Sequence, residues 1–272
     1  MYFRIILFVF AVVFVAQNLL CQSTPLLPKT NERESDLGIL LGLGMNFQSG
    51  DFYTTKDCKC LFSDGNKLGY SFGAFYQKEF ANSLKWGIML LFESKSINSS
   101  YRIKELDEVT SQSTNRSEYI PLDYRYKAET NISMISLLPY LDISLVDFLV
   151  TRVGFSVSSL GQAEYTHSKE LLQNTARLST GEVVNVNFKD TDGNVKVIDK
   201  TDFQNKISLQ FGAFAMLGAN INLSSNLYLS PIFQYSFPLT NISDNGNNFK
   251  VHSWRFFMQL SLKFGKKMEL DD

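Results

Sequence analysis

Few residues in this chain combine types and spacing that suit chemistry. Histidine occurs twice in 272 residues. His167 stands near Glu164 and Glu170, and His252 lies two residues before Trp254. A nucleophile needs a base within hydrogen-bond reach, and no Ser, His and Asp grouping of that kind is recognisable. Asp190, Asp192 and Asn194 match the first ligands of a calcium loop. Val195 stands where that loop needs its turn glycine, however, and no glutamate closes it. Asp192–Gly193 lies between the apolar runs Val183–Phe188 and Val195–Ile198, which predicts a hairpin turn instead. Cys58 and Cys60 enclose one residue. An oxidising compartment allows a disulfide there, strained by its short ring and easily reduced. A local staple or two free thiols is a plainer reading than redox or metal chemistry. What remains is a set of charges spread along the chain: Glu79, Lys85, Glu93, Asp142, Arg152, Arg255 and Lys263.

The segments that carry these charges explain them. In Lys250–Phe264, His252, Trp254, Phe256, Met258, Leu260, Leu262 and Phe264 alternate with Val251, Ser253, Arg255, Phe257, Gln259, Ser261 and Lys263. A period of two marks a β-strand with unlike surroundings on its two faces. Seven more segments share the pattern: Leu37–Phe47, Leu68–Phe80, Leu84–Ser94, Asn131–Leu145, Phe148–Ser159, Lys206–Leu223 and Leu227–Phe237. One face is large and apolar. The other is rich in Gly, Ser and Gln and carries the seven charges. Charges enclosed in a narrow barrel must pair with one another, so the set is expected to form an interior ion-pair network. Pro139 cannot donate to a ladder, and a bulge is expected there.

The connections alternate long, short, long, short, long, short, long. The long ones, near residues 48–67, 95–130, 161–205 and 238–248, read as polar loops. Each strand is about the length that a tilted transmembrane strand needs, roughly 9–11 residues. Lipid offers no hydrogen-bond partner to a free edge, so the sheet must close. Lys250–Phe264 must then pair antiparallel with Leu37–Phe47. Gly42 and Gly44 make room inside for Phe257. The predicted fold is an all-β, eight-stranded antiparallel up-and-down transmembrane barrel, with short periplasmic turns and long extracellular loops.

Composition agrees. Net charge is −1 with 19% charged residues, which gives no basic patch for nucleic acid. Mean hydropathy near zero excludes a bundle of membrane helices and leaves barrels open, since only alternate residues of a strand face lipid. At the N-terminus Arg4 precedes the apolar run Ile5–Ala16, a secretory signal pattern. We expect a signal peptide at 1–21, a periplasmic lead-in at 22–36, the barrel at 37–264 and a periplasmic tail at 265–272. Cys21 could be lipidated, but the large Leu20 before it argues against this.

With this leader, loop rhythm and aromatic last strand, the chain resembles the outer-membrane β-barrel domain family, small eight-stranded barrels of Gram-negative bacteria. The resemblance covers Leu37 to Phe264. It implies a bacterial outer-membrane location, the lipid bilayer and the outer-membrane assembly machinery as partners, and Trp254, Phe256 and Phe264 as the terminal-strand assembly signal. The tail after Phe264 departs from the family, whose barrels often stop at the aromatic residue. An interior eight strands wide is filled by side chains, so a general porin is not expected. The expected function is non-enzymatic, structural or surface-binding through the long loops, with no cofactor and no metal. The alternatives are a soluble lipocalin-like barrel holding a small apolar ligand, and an outer-membrane enzyme active at the rim.

Overall fold

A computed structural model describes residues 34–54, 60–81, 83–111, 113–146, 148–188 and 193–264. The signal peptide, the candidate lipid site at Cys21, most of the lead-in, the tail and the Asp190–Asp192 turn lie outside them. The strands in chain order are β1 (Ser35–Tyr53), β2 (Leu61–Phe62), β3 (Gly65–Ala81), β4 (Leu84–Ser94), β5 (Asn98–Thr110), β6 (Ser117–Val146) and β7 (Leu149–Leu171). Then come β8 (Thr175–Arg177), β9 (Val183–Asn185), β10 (Val195–Asp202), β11 (Leu209–Ala219), β12 (Ile221–Asn222), β13 (Leu227–Pro238) and β14 (Gly246–Phe264).

Eight of these close a ring in the order β1, β3, β4, β6, β7, β11, β13, β14, every neighbour antiparallel. The seam is β1 on β14, with Leu41 opposite Met258, Gly42 opposite Phe257 and Gly44 opposite Arg255. A Cβ added at Gly42 would stand 2.6 Å from the Phe257 ring, so the glycine does make the space the ring occupies. Facing follows strand parity. Leu37, Ile39, Leu41, Leu43, Leu90, Phe155, Phe256 and Phe264 are exposed on the outside. This is the reverse of a lipocalin-like barrel, whose apolar face turns inward. An apolar band this continuous is far larger than a soluble monomer exposes, and it suits hydrocarbon.

Two sequence expectations fail here. Pro139 causes no bulge: it pairs in register with Ile88. The β6–β7 pairing is also in step on both sides of it, shifting only at Ser133/Met134 and Ser144/Val146. Pro139 lacks one amide, and a single missing bond interrupts a ladder without displacing it. The hairpin expected between Val183–Phe188 and Val195–Ile198 does not form either. β9 pairs with β8, and β10 pairs with the upper half of β7. An Asp-Gly turn is a local preference, whereas the long edge of β7 offers β10 a ladder of backbone hydrogen bonds.

The larger departure is the end of the molecule opposite the short turns. Most of the expected polar loops are strands. β6 and β7 run 30 and 23 residues, well beyond the ring. With β5 and β10 on either side they form a projecting sheet. Leu122, Tyr124, Tyr126, Ala128, Tyr165 and Leu171 turn inward and pack with Phe52, Phe62, Phe203 and Phe249 into a second hydrophobic core. We call this folded end the cap.

Candidate extracellular binding surface

The inward side chains form four layers along the barrel axis. At the turn end, Asp36 accepts from Lys85 and from Gln77, each at 2.7 Å. Beside it Arg152 donates to Asp142 at 2.7 Å and to Gln259 at 2.6 Å, with its guanidinium over the Phe75 and Tyr140 rings. Next comes an apolar layer that includes Leu40, Phe75, Met89, Leu91, Phe214 and Phe257. A second polar layer follows. Lys95 lies 3.2 Å from Glu93 and donates to Ser253 at 2.6 Å. Arg255 donates to Asn46 at 2.6 Å and to the Ser94 carbonyl at 2.8 Å. The aromatic cap core closes the stack.

A cavity of about 40 Å³ beside Glu93, Lys95, Ser158 and Gln210 is water-sized. Among the described residues, side chains fill these layers, as the width of the barrel demands.

Six of the seven predicted interior charges meet polar partners, though not always each other. Asp142 and Arg152 pair directly. Lys85, Glu93 and Lys263 pair with Asp36, Lys95 and Glu34, three residues outside the predicted set. Strand parity points to two of them. Lys95 follows Glu93 on the same face, and Asp36 precedes Gly38 on the same face, each just beyond a predicted segment. Among the described residues Arg255 has no carboxylate within ion-pair distance and is held by carbonyls and side-chain oxygens instead. Glu79 is half-buried at the turn rim and forms no ion pair among the described residues. It lies opposite Lys85, but Lys85 reaches inward to Asp36.

The histidines separate. His252 Nε2 lies 3.1 Å from the Ser49 hydroxyl. Its Nδ1 has no partner, so no carboxylate orients the ring. His167 is fully buried in the cap, its Nδ1 2.9 Å from the Thr54 hydroxyl and its Nε2 without a partner. Burial pushes its pKa below the usual value, and the Asp199 carboxylate opposes this. Neither Glu164 nor Glu170 serves it. Glu164 lies three positions away on the opposite face of β7, and Glu170 binds Lys127 at 2.7 Å and Arg125 at 3.3 Å. Cys60 is disulfide-bonded; the other two cysteines lie outside the described residues.

The cap is built to hold its shape. Tyr101 stacks on Tyr126 at 5.4 Å, and Phe52 meets Phe249 at 4.7 Å. Lys169 sits 3.7 Å above the centre of the Tyr124 ring and binds Glu105 at 2.6 Å. Tyr126 donates to Glu105, and Tyr124 to Asp107. Burial, with these carboxylates beside them, raises the pKa of both phenols, so they remain donors at every physiological pH. The result is a rigid polar face on a filled scaffold, with Leu106 and Tyr119 exposed on it.

No family model and no curated protein matches the chain. Solved structures similar to it include Ail, the attachment invasion locus protein of Yersinia pestis, at 12% identity over 86% of this chain and 99% of that one, with a TM-score of 0.31. The outer membrane protein OprG from Pseudomonas aeruginosa is 12% identical over 87% of this chain and 98% of that one, at 0.34. The outer membrane protease OmpT from Escherichia coli is 10% identical over 90% and 99%, at 0.25. A barrel fold by itself names no activity.

Proposed function

We propose that this chain is an integral bacterial outer-membrane protein, exported by its N-terminal signal, whose working part is the cap: a non-enzymatic, surface-binding module held outside the cell. One observation carries the reading. The barrel interior is sealed, while the cap spends a separate aromatic core on holding a four-stranded sheet in place. A barrel needs only short connections to close, and long ordered connections are commonly functional. The histidines support the non-enzymatic reading, since one is buried and the other lacks an orienting acid. In the same reading the assembly machinery recognises β14 through Trp254, Phe256 and Phe264, and lipid covers the outer band.

The test is topological. Leu106→Cys and Leu41→Cys chains are expressed in a Gram-negative host, and intact cells are treated with a membrane-impermeant maleimide. We expect a heat-modifiable band in the outer-membrane fraction, labelled at residue 106 and unlabelled at 41. A soluble periplasmic protein, or labelling at 41 without 106, would overturn the proposal.

A further inference from the structure

Building on the outward placement of the cap, we infer that the free edge of β5 is a self-recognition site. It pairs antiparallel with β5 of a second copy carried by a facing membrane.

The edge is available. Only Asn98 and Ser99 touch β3, and from Ser100 to Thr110 the strand pairs with β6 alone among the described residues. An unpaired edge is a template for another strand. The opposite edge of the same sheet, β10, is broken by a register shift between Val197 and Asp199, a common way to blunt an edge. β5 has no such defect. Its thirteen residues run in one unbroken register from Asn98 opposite Glu129 to Thr110 opposite Ser117, and it contains no proline.

The charges on this strand are ordered. On the outward face, Arg102 and Lys104 lie nearer the barrel, Leu106 follows, and Glu108 lies nearer the tip. Leu106 is 69% exposed. Charged edges repel most strands and admit a complementary one. The complement here is the strand itself, reversed. Antiparallel pairing centred on Leu106 sets Leu106 against its own copy and Lys104 against Glu108 twice, all on one face. Directly opposite side chains of unlike charge are favourable and like charges are not. Lys104 is only loosely engaged in the single chain, 3.8 Å from the exposed Asp123. On the other face Ile103 meets Val109, and Glu105 meets Asp107. Lys169 neutralises Glu105 within each chain, which removes the charge repulsion of that contact, and Tyr124 donates to Asp107.

Direction then decides where the second copy stands. β5 rises from the barrel rim, and two copies in one membrane hold it the same way up. Their pairing would be parallel, with Lys104 on Lys104 and Glu108 on Glu108. The antiparallel register needs a strand that descends from the opposite side, so the contact joins two membranes.

The experiment uses the full chain in two populations of phosphatidylcholine vesicles, each with its own dye, and reads clustering by energy transfer and light scattering. Wild-type vesicles should cluster. Lys104→Glu and Glu108→Lys vesicles should each lose at least tenfold in clustering rate with their own kind. Mixed together, they should cluster again, because one variant then carries acids at both positions and the other carries bases at both. The double variant, with the two charges exchanged, should cluster with itself. Leu106→Cys should give an intervesicle disulfide dimer. Maleimide labelling of Leu106→Cys from outside separates the two ways of failing. Labelled vesicles that stay apart, or single variants that cluster like wild type, overturn the pairing alone. Failure to label overturns the outward reading of the cap and the pairing with it.

Discussion

The barrel and the cap are built by the same strands and are inside out with respect to each other. On the lower half of β6, Ile135, Leu137 and Leu141 point out while Ser136, Tyr140 and Asp142 point in. On its upper half, Tyr124, Tyr126 and Ala128 point in while Arg125, Lys127 and Glu129 point out. Parity continues along the strand; what changes is which face is apolar. The surroundings account for this. Hydrocarbon rewards large apolar side chains outside and leaves a narrow interior for glycines and paired charges. Water rewards the opposite arrangement. The inversion falls near Ser133, where β6 shifts register against β7.

The comparison breaks most severely if a buried charge loses its partner. Asp142→Ala strands Arg152, which is enclosed by Gln259 and two aromatic rings. We expect a loss of about 3–5 kcal/mol in urea unfolding from detergent. The corresponding cap change, Asp123→Ala, removes an exposed partner of Lys104 and should shift the midpoint almost undetectably. Equal effects would mean that the interior is wet.

A finer test matches exposure and changes only the solvent. Leu90 is 55% exposed on the band and Tyr119 is 70% exposed on the cap. Leu90→Arg should cost about 2–4 kcal/mol near the bilayer midplane and hinder assembly. Tyr119→Arg should leave barrel and cap folded. If both are tolerated alike, the band does not lie in lipid.

The smallest effect distinguishes the two cores by pH. In the folded cap His167 is kept neutral by burial, with Asp199 opposing. Tyr126 packs on its ring, Tyr101 stacks on Tyr126, and the Lys169–Glu105 and Tyr124–Asp107 pairs lie on the same elements. The unfolded cap takes up a proton at the ordinary value of 6.5. Between that value and the lower folded one, the open state binds more protons, so cap stability falls as pH falls, by at most about 1.4 kcal/mol per pH unit. Once corrected for the intrinsic pH dependence of exchange, amides in β5 and β10 should lose protection on going from pH 7 to pH 5, while the barrel strands stay unchanged. His167→Gln should abolish the difference. A uniform response of cap and barrel would sink the idea that the two cores open separately.

Much of the barrel was legible because its signal is local. Alternation in β1, β4 and β14 states which residues face lipid, and the missing side chain of Gly42 anticipates Phe257 across the seam. The cap carries the same kind of signal in Tyr124–Arg125–Tyr126–Lys127–Ala128–Glu129. Charged residues there read as loop because a lipid-facing strand would not bear them. Lys95 and Asp36 lie outside the predicted strands for a related reason: the apolar face stops there, although the inward face continues.

Period, facing, strand number and the closure of the barrel follow from the order of residues, since each rests on side-chain alternation and on a solvent that cannot satisfy a free edge. Long-range packing alone sends β10 from its Asp-Gly hairpin to the edge of β7, hydrogen-bonds Arg255 to carbonyl and side-chain oxygens, and folds four polar connections into one aromatic core. Those outcomes depend on contacts between residues far apart in the chain. Their energies come from which surfaces meet, and no local pattern records that.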